Sequence, residues 1–325
     1  MLFDEKKIKL WSQLGQRASF GLACLELQRY FPRLIILSSD VSTSAGLDRF
    51  RKKFKEKYLE VGIAEQNLLG VAAGLASEGF QVITTTFSPF QILRCCEQIK
   101  VNLGYMKQKV CMVGLASGVT LGTLGYTHCS IEDIGVLRSI PNITIISPAD
   151  VREMLKALEA SLKHHQSVYL RLSGSNNNKI VYQKDYNFII GKPVILNKGK
   201  DITIFSSGSM VSVSQDIVKV LYSNNISAEL INVHTIKPLD KSQIIKSKNY
   251  SKLFISIEEH NVIGGLGSAL SEVCSELDKC PRLIKLGLED SYNISGDYEY
   301  ILEKNKLTCQ AISKNIIEQF KKVKE

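Results

Sequence analysis

Val61-Gly62-Ile63-Ala64-Glu65-Gln66-Asn67 leads into Gly70-Val71-Ala72-Ala73-Gly74-Leu75-Ala76, and the apolar run Gln81 to Thr85 follows. The first stretch reads as a strand giving way to a helix over 65–78, and the last as a second strand. Small residues along that helix allow another backbone to approach closely, which suits a tightly packed subunit interface. Working outward, the same alternation recurs: a helical pattern over Gly15 to Tyr30, then Leu34 to Ser38 as a strand. Lys109 to Val113, Ile143 to Ile146 and Ser167 to Arg171 are further strand-like runs, with a helical Val151 to Ser161 between the last two. β-branched runs separated by helix-length segments predict a parallel sheet covered by helices.

The pattern lapses near Ser173 to Asp185, where Ser173-Gly174-Ser175-Asn176-Asn177-Asn178-Lys179 favours neither periodic element. A second alternation follows: Ile202 to Ser206, a helix through Val211 to Tyr222, Ser227 to Val233, Leu253 to Glu258, a helix from Gly267, and Arg282 to Leu288. The expected organisation is therefore two consecutive α/β domains, 1–175 and 191–325, joined by a linker over 176–190. Each has a mostly parallel sheet flanked by helices. A chain of 325 residues suits that count, at roughly 150 residues per domain.

Hydrophobic residues at 44% and charged residues at 22% exclude the composition of a disordered chain. The formal charge of +9 is spread along the sequence, with only small clusters such as Arg51-Lys52-Lys53, so it argues against a nucleic-acid face. It is compatible with attraction to phosphorylated small molecules. The eight cysteines form no C-x-x-C pair and no regular framework, as expected for free thiols in a reducing cytoplasm. Met1 to Leu10 is charged, and no run of about 18 apolar residues occurs, so neither secretion nor a membrane span is expected.

Three motifs carry the chemistry. Glu65 opens a helix, Thr85-Thr86-Phe87-Ser88-Pro89-Phe90 follows a strand, and Gly122-Thr123-Leu124-Gly125-Tyr126-Thr127-His128-Cys129 precedes Glu132-Asp133, Leu137-Arg138 and Ile140-Pro141-Asn142. Taken singly, each has an ordinary explanation: a favourable charge in a first helical turn, core aromatics, a loop histidine. Together and in this order they resemble the transketolase family, and within it the pyrimidine-binding and C-terminal half that deoxyxylulose-phosphate synthases also contain.

The resemblance implies thiamine diphosphate as cofactor. Glu65 matches the glutamate that hydrogen-bonds N1′ of the cofactor's pyrimidine, a task that needs a carboxyl kept from bulk water. Phe87 and Phe90 match the aromatics that stack on the aminopyrimidine, with Ile63 and Asp40 beside the cofactor. His128 matches a histidine that contacts substrate and assists proton transfers. Arg17, in Gln16-Arg17-Ala18-Ser19, and Ser44, in Ser39-Asp40-Val41-Ser42-Thr43-Ser44, match positions that hold the donor's phosphate. Ile257-Glu258-Glu259-His260-Asn261 and Gly264-Gly265-Leu266-Gly267 resemble the family's last domain; His260 reads as structural and the His164-His165 pair as a solvated helix end.

The sequence also departs from the family. Leu124 stands where transketolases carry an aspartate that reads an acceptor hydroxyl, Gly174 where they carry a phosphate-binding arginine, and Ala116 where they carry a further substrate histidine. A leucine cannot accept that hydrogen bond, so a different acceptor and a specialised two-carbon transfer in sugar biosynthesis are expected. No Gly-Asp-Gly segment followed by an asparagine some 25 to 30 residues on is present, and no metal ligand is assigned. The resemblance then implies that Mg²⁺ and the diphosphate are held mainly by a partner, an N-terminal diphosphate-binding subunit, in an α2β2 assembly. Two other readings share these features: the β subunit of a 2-oxoacid dehydrogenase, and a non-catalytic scaffold partner.

Overall fold

The computed structural model describes residues 3–174, 179–292 and 294–324. Short buried runs form its strands: β1 Leu34–Ser38, β2 Tyr58–Glu60, β3 Gln81–Phe87, β4 Val110–Ser117, β5 Ile143–Ile146 and β6 Ser167–Ser173 in the first half. The second half adds β7 Val194–Asn197, β8 Ile202–Ser206, β9 Ala228–Asn232, β10 Thr235–Lys237, β11 Leu253–Asn261 and β12 Arg282–Leu288. β1 and β4 to β6 are buried throughout; β1 and β4 read as nearly continuous apolar runs rather than alternating ones, while β5 and β6 carry Thr144 and Arg171 inside theirs.

Two α/β sheets result, both mostly parallel. The first has the order β10-β5-β6-β4-β3-β1-β2 and the second β12-β11-β8-β9-β7. Helices cover both. Gly15–Leu27 and Val151–Lys163 bury Phe20, Leu27, Met154 and Leu158 on one face of the first sheet. Glu65–Ser77 buries Leu68, Leu69 and Ala72 on the other. Met210–Ser223 and Leu266–Ser275 play the same parts on the second sheet.

One edge strand crosses between the halves. β10 pairs antiparallel with β5, Thr235 opposite Ile146, so a segment from the second half closes the edge of the first sheet. Lys237 on that strand donates to the carbonyls of Leu137, Arg138 and Ile140, at the end of the short helix Asp133–Arg138, where a cation is favourably placed.

Of the expected linker, 176–178 lie outside the described residues. From Lys179 to Ile190 there is neither helix nor strand, yet the segment is strapped down. The backbone N–H groups of Val181 and Tyr182 donate to Asp150, and Tyr182 stacks on Tyr186 with centroids 4.0 Å apart. Tyr186 in turn donates to the buried Glu153, which also accepts from Asn232 of β9. Among the described residues no helix is long and apolar enough to cross a membrane.

The turn that carries Ser44 is pressed against the helix that carries Arg17. A Cβ on Gly21 would lie 2.0 Å from the carbonyl oxygen of Gly46, a backbone atom that cannot swing aside. Gly21→Ala should therefore lower stability by about 1–3 kcal/mol, the usual penalty of overpacking, seen as a reduced denaturant midpoint at unchanged slope.

Candidate active site

β4, β3, β1 and β2 are neighbours, and in open α/β sheets ligands settle in the crevice beyond the carboxyl ends of such strands. The motif residues leave the sheet there. Ser39 and Asp40 follow β1, Glu60 ends β2 and leads to Glu65, Phe87 ends β3, and the Gly122–His128 loop follows β4.

Glu65 is the first residue of helix Glu65–Ser77 and is only 3% exposed. Its approach is stitched to the end of β1. The Ser39 hydroxyl donates to the Gly62 carbonyl and accepts from the Ala64 N–H, while Glu60 accepts from the N–H groups of Asp40 and Gly62. These bonds fix where the helix starts, and so where its carboxylate points. Arg94 donates to Glu65 Oε2 at 2.6 Å. The Arg94 guanidinium lies over the ring of Phe90, 4.4 Å from its centroid. Phe90 meets Phe87 at 6.3 Å and His128 at 5.3 Å, both edge-on, an arrangement aromatic rings favour. His128 is half-buried and its Nδ1 lies 3.0 Å from the Thr127 hydroxyl.

Glu65, Phe87, Phe90 and His128 are thus one contact chain, with Arg94 as a link that the motifs do not contain. Asp40 is exposed, with a left-handed φ of 53°, and joins the group through Glu60. Ile63 and Leu124 stand out at the rim, 76% and 56% exposed. Arg17 and Ser44 lie at the same end of the sheet, but no side-chain hydrogen bond or ring contact among the described residues ties them to the Glu65–His128 chain. Arg17 is half-buried and desolvation lowers its pKa, so it is a cation that an anion would stabilise.

A second, fully buried network stands behind the loops. Asp133 accepts from Arg171 Nε at 2.8 Å and from the Tyr169 hydroxyl at 2.6 Å. Tyr169 continues to Ser88, next to Phe87, and Ser88 to Ser117 at the end of β4. Arg171 also donates to the carbonyls of Ser130, two residues from His128, and Glu259. Burial opposes the Arg171 charge, but the adjacent Asp133 outweighs it and holds the guanidinium above its usual range. His260 packs against this pair, and burial drives it down to about 4, leaving a neutral ring that donates or accepts locally with Asn261 and Gly135. The His164–His165 pair closes the helix Val151–Lys163, with His164 half-buried at 3.1 Å from the Thr144 hydroxyl and His165 exposed.

Sequence reasoning passed over Arg94, Ser39, Glu60, Tyr169 and Arg171. Only Arg94 leaves a local signal, since it is one turn beyond Phe90, at i+4, and so shares its face. The others act mainly through partners 20 to 88 residues away in the chain, a spacing set by sheet order.

Residues 12–179 match the transketolase pyrimidine-binding domain, and residues 191–312 the transketolase C-terminal domain. This chain belongs to the transketolase family. It is 34% identical over 310 residues to a putative transketolase C-terminal section of Methanocaldococcus jannaschii, covering 95% of this chain and 97% of that one. It is 35% identical to a 6-deoxy-6-sulfo-D-fructose transketolase subunit of a Clostridium species, covering 89% of each. Among solved structures it resembles a split-gene transketolase described as an inactive β4 tetramer, with a TM-score of 0.84 and 31% identity over 95% of this chain and 98% of that one. The class that follows is a thiamine-diphosphate-dependent transferase working as a transketolase subunit, rather than a 2-oxoacid dehydrogenase subunit.

The buried pair behind the transketolase loops should be the costliest part of the site to break. Asp133→Asn leaves Arg171 charged and unpaired, and should cost about 3–5 kcal/mol in urea unfolding. A cost below about 1 kcal/mol would mean that the pair does not hold the loops.

Proposed function

We propose that this chain supplies the pyrimidine side of a two-carbon transferase site that a diphosphate-binding partner completes. The observation that carries the reading is the contact chain Glu65–Arg94–Phe90–His128 across the carboxyl ends of adjacent strands. A carboxylate that is 3% exposed beside two half-buried rings fits a flat, nitrogen-bearing aminopyrimidine. Glu65 would share a proton with the ring nitrogen in a hydrogen bond, Phe87 and Phe90 would stack on the ring, and Ile63 and Asp40 would border the cofactor. Thiamine diphosphate, when bound, supplies a carbon nucleophile and an electron sink for the two-carbon unit.

This chain's own residues bind and move protons. His128, held by Thr127 and the edge of Phe90, faces the substrate and hands protons to and from its oxygens. Arg17, desolvated and cationic, holds an anionic group of the donor together with Ser44. Leu124, exposed at the rim, replaces a hydrogen-bonding side chain with an apolar one, so the acceptor lacks the hydroxyl that pentose-phosphate acceptors present there. The donor is a ketose or 2-oxoacid and the acceptor an aldehyde or ketone of specialised sugar biosynthesis. A similar chain is named for a sulfo-sugar, which supports substrates outside the ordinary pentose phosphates.

The partner is an N-terminal diphosphate-binding subunit that carries most of the Mg²⁺ contacts, in an α2β2 assembly in the cytoplasm. The similar β4 assembly described as inactive supports a site that one kind of subunit cannot finish. The test is calorimetric: thiamine diphosphate with Mg²⁺ titrated into this chain, into the partner and into their mixture. Tight binding should appear in the mixture alone, and tight binding by this chain alone would overturn the shared site. In the mixture, Glu65→Gln should slow turnover by about 10²–10⁴-fold, the usual loss when a proton-transfer group is removed. An unchanged rate would favour a scaffold role. Turnover of xylulose 5-phosphate with ribose 5-phosphate should be poor, and a rate typical of transketolases would sink the acceptor argument.

A further inference from the structure

Arg94 is the one charged residue in the contact chain that the function above leaves idle. It touches both groups assigned to the pyrimidine: it donates to Glu65 Oε2 at 2.6 Å, and its guanidinium carbon stands 4.4 Å from the Phe90 centroid. A guanidinium is flat, donates N–H groups in its own plane and stacks on aromatic faces. Those are the properties by which an aminopyrimidine would be recognised here. We infer that Arg94 is a stand-in ligand: it fills the pyrimidine pocket of the free chain, and its displacement sets the cofactor affinity of the completed site. This inference rests on the cofactor reading given above.

The geometry lets the side chain leave. Glu65 is 3% exposed while the Arg94 side chain is 44% exposed, so the pair has its fixed half inside and its movable half at the surface. The backbone of residue 94 is held separately, its carbonyl accepting from Gln66 at 3.3 Å. Phe90–Arg94 is wound as a π-helix, a widened turn that is uncommon and often found at functional sites. Rotation of the side chain toward solvent frees the carboxylate and the ring face without moving the main chain. While Arg94 stays, Glu65 keeps a charged partner and no unpaired carboxylate is buried.

The experiment uses the assembled complex. Thiamine diphosphate with Mg²⁺ is titrated calorimetrically into complexes carrying the wild-type chain, Arg94→Gln, Arg94→Lys or Glu65→Gln. Arg94→Gln should tighten binding by about tenfold, the order of one charge-assisted hydrogen bond reduced for solvent exposure. Arg94→Lys, which keeps the charge but not the flat fork, should tighten it by a smaller factor. Binding by Arg94→Gln that equals the wild type, or is weaker, overturns the inference. If the wild type binds but Glu65→Gln is no weaker, Glu65 does not meet the pyrimidine, and the cofactor reading and this inference fall together. Tightening in Arg94→Gln alongside weakening in Glu65→Gln supports both.

Discussion

The salt bridge between Asp133 and Arg171 is the constraint on which the arrangement of the site depends. Both side chains are buried, and Asp133 is met by Arg171 and the Tyr169 hydroxyl while Arg171 also takes the carbonyls of Ser130 and Glu259. An uncompensated charge in that setting is costly, so the loops must settle where their carbonyls and hydroxyls complete the pair. Ser130 supplies one carbonyl and thereby places the loop of His128. Tyr169 carries the constraint to Ser88 and so to Phe87. One ion pair therefore fixes two different strand ends relative to each other.

The same pair draws the second half of the chain into the site without giving it chemistry to perform. Glu259 offers its carbonyl to Arg171 and its carboxylate to the Val119 N–H, the Tyr298 hydroxyl and Ser209. Burial pushes that carboxyl upward, and the hydrogen bonds it accepts act against the shift. Gly118 must be glycine here: its φ is +71°, and an added Cβ would lie 2.1 Å from the Glu259 carboxylate. The C-terminal sheet is thus a clamp on the turn after β4, and its His260 is packed beside Asp133 and driven toward the neutral form by burial.

Much of this was legible in the sequence, for a physical reason. Strands such as Leu34–Ser38 and Ile202–Ser206 are buried on both faces, so they appear as mostly apolar runs bounded by polar residues. The motif residues Glu65, Phe87, Phe90 and His128 do come together, because each ends or follows a strand and the strands are neighbours. β10 was illegible: it is three residues long, and its edge position depends on Lys237 reaching the end of helix Asp133–Arg138. The strap from Lys179 to Ile190 was illegible too, since its order comes from Asp150 and Glu153 rather than from any local period. The hub residues failed for the same reason. Arg171 reads as one more residue of a strand until the sheet order brings Asp133 beneath it.

What the site leaves exposed argues for its incompleteness as strongly as any motif. Ile63 and Leu124 stand at its rim, and Leu93, next to Arg94, is also exposed. On that helix Gly70 and Gly74 are exposed, with open space where a Cβ would be. Single exposed apolar residues need no explanation, but several at the mouth of a site with a buried carboxylate suit a second surface laid over them. In the proposed role Glu65 needs a dry surrounding for a hydrogen bond to a ring nitrogen to dominate its behaviour, and in this chain the partly exposed Arg94 is part of what covers it. A second surface laid over Ile63 and the glycine face would exclude water from the carboxylate as it buries the apolar rim. On the proposed reading, closing the site and assembling the subunits would then be the same event, even though Glu65 and His128 both belong to this chain.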